Sequence, residues 1–205
     1  MSPVRLNGST SGYSELSAPA VAGNNSIALP TGNGSAYQVL RNGATAGSLE
    51  YADKIVSGTA QNSTSGTAID FTGIPSWVKR VTVMLDGVST NGTSNVLIQI
   101  GDSGGIEITG YVSSSLTTGT ADGETIGFQL TNGYIASDVR SGSVIISALN
   151  ASTNIWASSG CISNGTTISV SAGSKTLSAT LDRVRITTVN GTDTFDAGSI
   201  NIIYE

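Results

Sequence analysis

Asn95-Val-Leu-Ile-Gln-Ile-Gly101 decides the fold class. Val96, Ile98 and Ile100 recur at every second position, the spacing that lays apolar side chains along one face of a half-buried β-strand. A helix would need them at every third or fourth position. Thr125-Ile-Gly-Phe-Gln-Leu-Thr131 repeats the pattern with Ile126, Phe128 and Leu130. Outward from these two, similar runs occupy 78–85, 106–112, 144–149, 155–162, 167–170, 177–189 and 199–204. They are separated by Asp86-Gly87, Asn91-Gly92, Asp102-Ser-Gly-Gly105, Asp122-Gly123, Asn132-Gly133, Asn164-Gly165 and Asn190-Gly191, pairs that suit tight turns because glycine tolerates positive φ. No segment keeps a helical period with caps at both ends, and at most one helical turn is expected at Pro75-Ser-Trp-Val78. Many short strands joined by glycine-containing turns predict an all-β, antiparallel sandwich or jelly roll over residues 55–205.

Residues 1–54 read differently, with the boundary at Ala52-Asp53-Lys54. Between 6 and 52 only short apolar beads occur, at Leu16, Ala18 to Ala22, Ile27 and Leu29, Val39 and Leu40, and Leu49 and Tyr51, with Gly, Asn, Ser, Thr and Pro between them. Such a segment cannot close a core from one copy, and three copies around an axis could share one. An extended attachment or shaft segment and a homotrimer are the expectations.

Composition narrows the function classes. Only 11% of the 205 residues are charged, against roughly a quarter in ordinary globular proteins, so Ser, Thr, Asn and Gly must cover much of the surface. A net charge of −5 with nine scattered basic residues argues against nucleic-acid binding, which needs clustered Lys and Arg to neutralise phosphates. No run approaches the ~20 apolar residues of a membrane span, and the N-terminal residues lack the basic and apolar regions of a signal peptide. Membrane insertion is therefore not expected. The single cysteine, Cys161, cannot form an intrachain disulfide and reads as a small buried hydrophobe in a strand, compatible with assembly in a reducing cytoplasm.

The run Ala18-Pro-Ala-Val-Ala-Gly-Asn-Asn-Ser-Ile-Ala-Leu-Pro-Thr-Gly-Asn-Gly-Ser-Ala36, followed by Gln38-Val-Leu-Arg-Asn-Gly43, resembles the attachment and shaft segments of bacteriophage fibre and spike proteins. Ile69-Asp-Phe-Thr-Gly-Ile-Pro-Ser-Trp-Val-Lys-Arg-Val-Thr-Val-Met-Leu-Asp-Gly-Val-Ser89 resembles the start of jelly-roll domains in phage virion proteins, and 181–205 is similar to their closing strand pair. The resemblance implies a structural virion protein assembled in the host cytoplasm: a homotrimeric fibre or spike with a sandwich knob and a host-surface glycan as candidate ligand. Its partners would be other virion proteins of the tail or capsid. The alternative reading is a capsid decoration or cement protein, or a head fibre, gripping the major capsid protein through its N-terminal segment.

Chemistry is sparse. The chain has no histidine, which removes a Ser-His-Asp triad and the usual zinc and iron ligand sets. Asp193 with Asp196, and Asp122 with Glu124, are the only carboxylate pairs a glycosidase could use. Asp182, Asp193 and Asp196 could offer oxygens to Ca²⁺, although turn capping accounts for aspartates in such surroundings equally well. No enzyme activity, cofactor or metal is expected. Trp77 is expected to seal one end of the sandwich, with sugar stacking as the lesser reading. Tyr111 and Tyr134, near predicted turns where a ring can stack on a sugar, and Trp156, which can face either way in its strand, are the candidate surface contacts, with a structural role the favoured reading for each.

Overall fold

The computed structural model describes residues 4–7, 10–16, 26–35 and 38–205 and divides into two compact units, Met1–Lys54 and Ile55–Glu205. The beads at Ala18 to Ala22 lie outside the described residues.

The first unit contains two short antiparallel hairpins. β1 (Val4–Asn7) pairs with β2 (Tyr13–Leu16), and β3 (Val39–Asn42) pairs with β4 (Leu49–Ala52). In the second hairpin Arg41 stands opposite Glu50 and donates from Nε to Oε1 at 3.0 Å, a cross-strand ion pair that fixes the register. The segment 26–35 runs beside it. The Ala28 N–H donates to the Gly47 carbonyl at 2.8 Å, and the Ala28 carbonyl accepts from the Leu49 N–H at 2.9 Å. Ile27, Leu29, Leu40 and Tyr51 all stay exposed among the described residues, Leu29 at 74%.

The second unit is all-β. Its strands are β5 (Val56–Ser57), β6 (Gln61–Asn62), β7 (Ala68–Phe71), β8 (Arg80–Thr90), β9 (Val96–Asp102), β10 (Gly105–Ile106), β11 (Tyr111–Leu116), β12 (Asp122–Glu124), β13 (Phe128–Gln129), β14 (Arg140–Asn150), β15 (Ile155–Ser163), β16 (Ile168–Thr176), β17 (Arg183–Thr188) and β18 (Phe195–Tyr204). A nine-stranded antiparallel sheet has the order β12-β11-β16-β15-β14-β8-β18-β5, with β6 also on β18. A five-stranded sheet has the order β10-β9-β17-β7, with β13 also on β9. One core lies between them, built by Val81, Val83, Val144, Ile146, Ile200 and Ile202 from the larger sheet and Ile69, Phe71, Ile98, Ile100, Val184 and Ile186 from the smaller. Burying each such side chain contributes about 1.5–3 kcal/mol.

Several sequence expectations are corrected. Strand β9 is buried at every position, not on one face, because 125–131 folds over it: the Gln99 Nε2 donates to the Ile126 carbonyl at 3.0 Å and the Leu130 N–H to the Val96 carbonyl at 2.9 Å. Asp86-Gly87 lies inside β8 and Asp122-Gly123 inside β12, so neither is a hairpin turn. Pro75–Val78 is a tight turn closed by the Val78 N–H on the Pro75 carbonyl at 3.0 Å, with no helix. Cys161 is exposed, because it occupies an outward position of β15 between the buried Ile162 and the inward-facing Trp156 side of the strand.

Candidate functional site

The three aromatic contact candidates all lie in the core. Tyr111 begins β11 with its ring edge-on to Phe128, centroids 5.0 Å apart. Its hydroxyl accepts from the Ile100 N–H at 2.8 Å and can donate to the Glu107 carbonyl at 2.9 Å or the Ile100 carbonyl at 3.1 Å. Tyr134 accepts from the Thr90 N–H at 3.0 Å and donates to the Asp138 carbonyl at 3.1 Å. Burial raises the pKa of both phenols above the ordinary tyrosine value. Trp156 faces inward from β15, and its Nε1 has no partner among the described residues. None of the three presents a ring face to a sugar. The signal for Tyr111 and Tyr134, an aromatic beside a turn, marks inward-pointing positions as readily as a surface, and Trp156 takes the inward of the two directions open to it in a strand.

Two ion clusters, one buried and one partly buried, tie strands and connections of the sandwich together. In the first, Arg140, 2% exposed, donates from Nη2 to Asp138 Oδ2 at 2.6 Å and from Nη1 to Ser169 Oγ at 3.2 Å. Asn164 Nδ2 donates to Asp138 Oδ1 at 2.7 Å, and the guanidinium lies 5.7 Å above the Tyr134 ring centroid. In the second, Lys175 pairs with Glu107 Oε2 and donates to the Thr176 carbonyl at 2.6 Å. Glu107 Oε1 accepts from the Ser178 N–H at 2.7 Å, while Ser178 Oγ donates to Asp102 Oδ2 at 2.6 Å. The hydrogen bonds from Ser178 and the Gly104 N–H hold Asp102 below its usual carboxylate range against the opposing effect of burial. For Glu107 and Asp138 burial pushes upward, and hydrogen bonds with the facing Lys175 or with Asn164 and Arg140 outweigh it, so both are lowered. These groups bind fewer protons folded than unfolded. Their stabilisation is therefore present above the unfolded carboxylate values of about 4 and is lost as pH falls through the lower folded values. The melting temperature should be level from pH 7 to about pH 5 and drop steadily below about pH 4. A melting temperature unchanged down to pH 3 would show that the clusters do not stabilise the fold.

The remaining carboxylates do not converge. Asp193 accepts from the Ser94 N–H at 2.9 Å and from Asn190 Nδ2 at 2.6 Å, tying two turns together. Asp196 accepts from the Ser89 hydroxyl, and Asp182 holds Arg183 at 2.8 Å. Asp122 accepts from Gln129 Nε2 at 3.1 Å, and Glu124 caps the Thr125 N–H at 2.7 Å. Among the described residues no group of three or more His, Cys, Asp or Glu side chains could hold a metal ion.

Trp77 does reach solvent, at 40% exposure. It does not seal the sandwich end; its ring leans on Tyr204 at 5.9 Å between centroids, tilted by 51°. Tyr204 in turn borders an open groove of about 410 Å³ that includes Thr59, Gln61, Asp70 and Thr72. Asp70 is already paired bidentately with Arg185, at 2.7 Å on both oxygens, so the groove carries hydroxyl and amide groups with little net charge. No family model, curated protein or solved structure matches the chain.

Proposed function

We propose that the chain is a structural protein of a tailed-bacteriophage virion, a homotrimeric fibre or spike whose first unit attaches it to the particle and whose jelly-roll-like knob points outward. The observation that carries this reading is the first unit, where Leu40 and Tyr51 on the β3–β4 hairpin and Ile27 and Leu29 on the segment beside it stand exposed. Side chains of that size on so small a unit favour a shared core with neighbouring copies. The resemblance of 18–36 and 38–43 to fibre attachment segments supports the same reading. In such a fibre, adhesion to a host-surface glycan would fall to the Trp77–Tyr204 pair and its groove, where a sugar can stack on a ring while its hydroxyls meet Gln61, Thr59 and Thr72.

Light scattering of the full chain is expected to give about three times the 20.7 kDa chain mass. A stable monomer at micromolar concentration would overturn the trimer. Deleting residues 1–20 should abolish incorporation into particles while the sandwich stays folded. Incorporation at the normal level would place attachment in the second unit, and a density in particle maps on the capsid shell would favour the decoration protein.

A further inference from the structure

The outer face of the nine-stranded sheet is unlike the rest of the surface. Strands β11, β16, β15 and β14 contain two charged residues, Arg140 and Lys175, and both point inward. Every outward position on these strands is aliphatic, small, or a hydroxyl or amide residue. Val112, Leu116, Ile145, Leu149, Ile168 and Val170 are all exposed there, Val112 and Leu149 at 73%. An antiparallel sheet that meets water normally alternates apolar inward with polar outward, so this face departs from the pattern that gives the core. The strand register aligns the side chains in rows. One row runs Leu116, Val170, Cys161, Ser143 and Met84; the next runs Ser114, Ala172, Ser159, Ile145 and Thr82. The small residues Ser114 and Ala172 beside Leu116 and Val170 leave an open trough of about 290 Å³.

We infer that this face packs against other copies of the same chain around the axis of the proposed trimer, burying Cys161 near its centre. The inference rests on that trimer reading and extends it to the second unit. A face with no ionic groups matches a surface that also lacks them, and a copy of itself supplies that chemistry; a charged partner would lose solvation with nothing to pair. The four strands at about 4.8 Å spacing and about seven residues at about 3.3 Å per residue span roughly 440 Å² in plan, and more in accessible surface, half or more of the ~800 Å² per partner in stable interfaces. Protruding Val112 and Leu149 and the Ser114–Ala172 trough lie at different places on the face, so ridge meets trough between different patches. That is the heterologous contact a closed three-fold ring uses. The acidic edge strand β12, with Asp122 and Glu124, discourages strand addition at the far edge of the sheet, which leaves the face itself for association.

Cys161 reports on this directly, because it is exposed in the single chain and covered in the assembly. The test is alkylation of the native full chain by N-ethylmaleimide, followed by mass spectrometry, with light scattering on the same sample. Reaction at least about 100-fold slower than in denaturant, together with a three-copy mass, is expected. Val170→Lys and Ile145→Lys, each at a position open in the single chain, should give a folded monomer whose thiol reacts at the free rate. A three-copy mass with a freely reactive Cys161 overturns this face and leaves the trimer standing, as does a trimer that survives both lysine variants. A monomer overturns both, and a monomer with a protected thiol assigns the cover to the chain itself.

Discussion

Arg140→Ala is expected to lower the unfolding free energy by about 3–5 kcal/mol and the melting temperature by on the order of 10 °C for a chain of this length. The variant removes the cation from a cluster in which Arg140 and Asp138 are both buried, and it leaves the Asp138 carboxylate with Asn164 as its remaining side-chain partner at 2.7 Å. Removing one member of a buried pair is far worse than removing both, because the survivor keeps its desolvation penalty. The network also joins pieces distant in sequence: Asp138 on the connection before β14, Asn164 in the β15–β16 turn and Ser169 on β16. Arg140 Nε has no partner among the described residues, so the pair is not ideally satisfied, and an uncharged replacement has room to do well. The double variant Arg140→Met with Asp138→Asn should recover at least half of the loss, a coupling readable in urea unfolding. A single-variant loss under about 1 kcal/mol would mean that water reaches the cluster and screens it.

The all-β class was legible because inward positions on β8, β14, β17 and β18 carry Val, Ile and Leu at period two, and antiparallel sheets are what the structure contains. Strand β11 was legible only in part. Its Val-Ser-Ser-Ser run gives no apolar alternation, yet Ser113 and Ser115 face inward, where Ser113 Oγ accepts from the Gln129 N–H at 2.8 Å and Ser115 Oγ from Gln129 Nε2 at 3.1 Å. A strand whose inner face is satisfied by hydrogen bonds leaves no hydrophobic period to read. Run 177–189 shows the opposite failure. Leu177 and Leu181 are buried core residues, but they plug the core from a connection, and the strand is only Arg183–Thr188. The candidate surface residues were chosen by residue type, and type does not report direction: Tyr111, Tyr134 and Trp156 point in while Trp77 points out. The uncharged outer face follows from the sequence only once the register of four strands is known, because Val112, Ile145, Cys161 and Val170 come together from separate segments.

Gly198→Ala should cost about 3 kcal/mol or more, whereas Gly191→Ala should cost about 1 kcal/mol. Both glycines have positive φ, +93° and +67°, so both variants meet the left-handed backbone penalty. Only at Gly198 is the space also taken. An added Cβ would lie 2.4 Å from the Gly87 carbonyl oxygen and 2.6 Å from that of Asp86, both backbone atoms of the paired strand, while at Gly191 nothing lies within 4 Å. Leu85 and Val88 are three residues apart on β8 and both buried, and Phe195 and Ile200 on β18 are five apart and both buried. Strict period two would turn one member of each pair outward. A bulge on each strand absorbs the odd residue, as the register shifts around Asp86–Ser89 and Ala197–Ser199 show, and the two bulges nest on glycine backbones. The same bulge faces β14, where the Gly87 N–H donates to Ser141 Oγ at 2.9 Å and Arg140 stands opposite Val88. Separating β8 from β18 would thus disturb the placement of the buried Arg140 as well, so the Gly198→Ala and Arg140→Ala losses should be less than additive in the double variant. Equal melting temperatures for Gly198→Ala and Gly191→Ala would show that the nested bulges can open without cost and that the register rests on the core side chains alone.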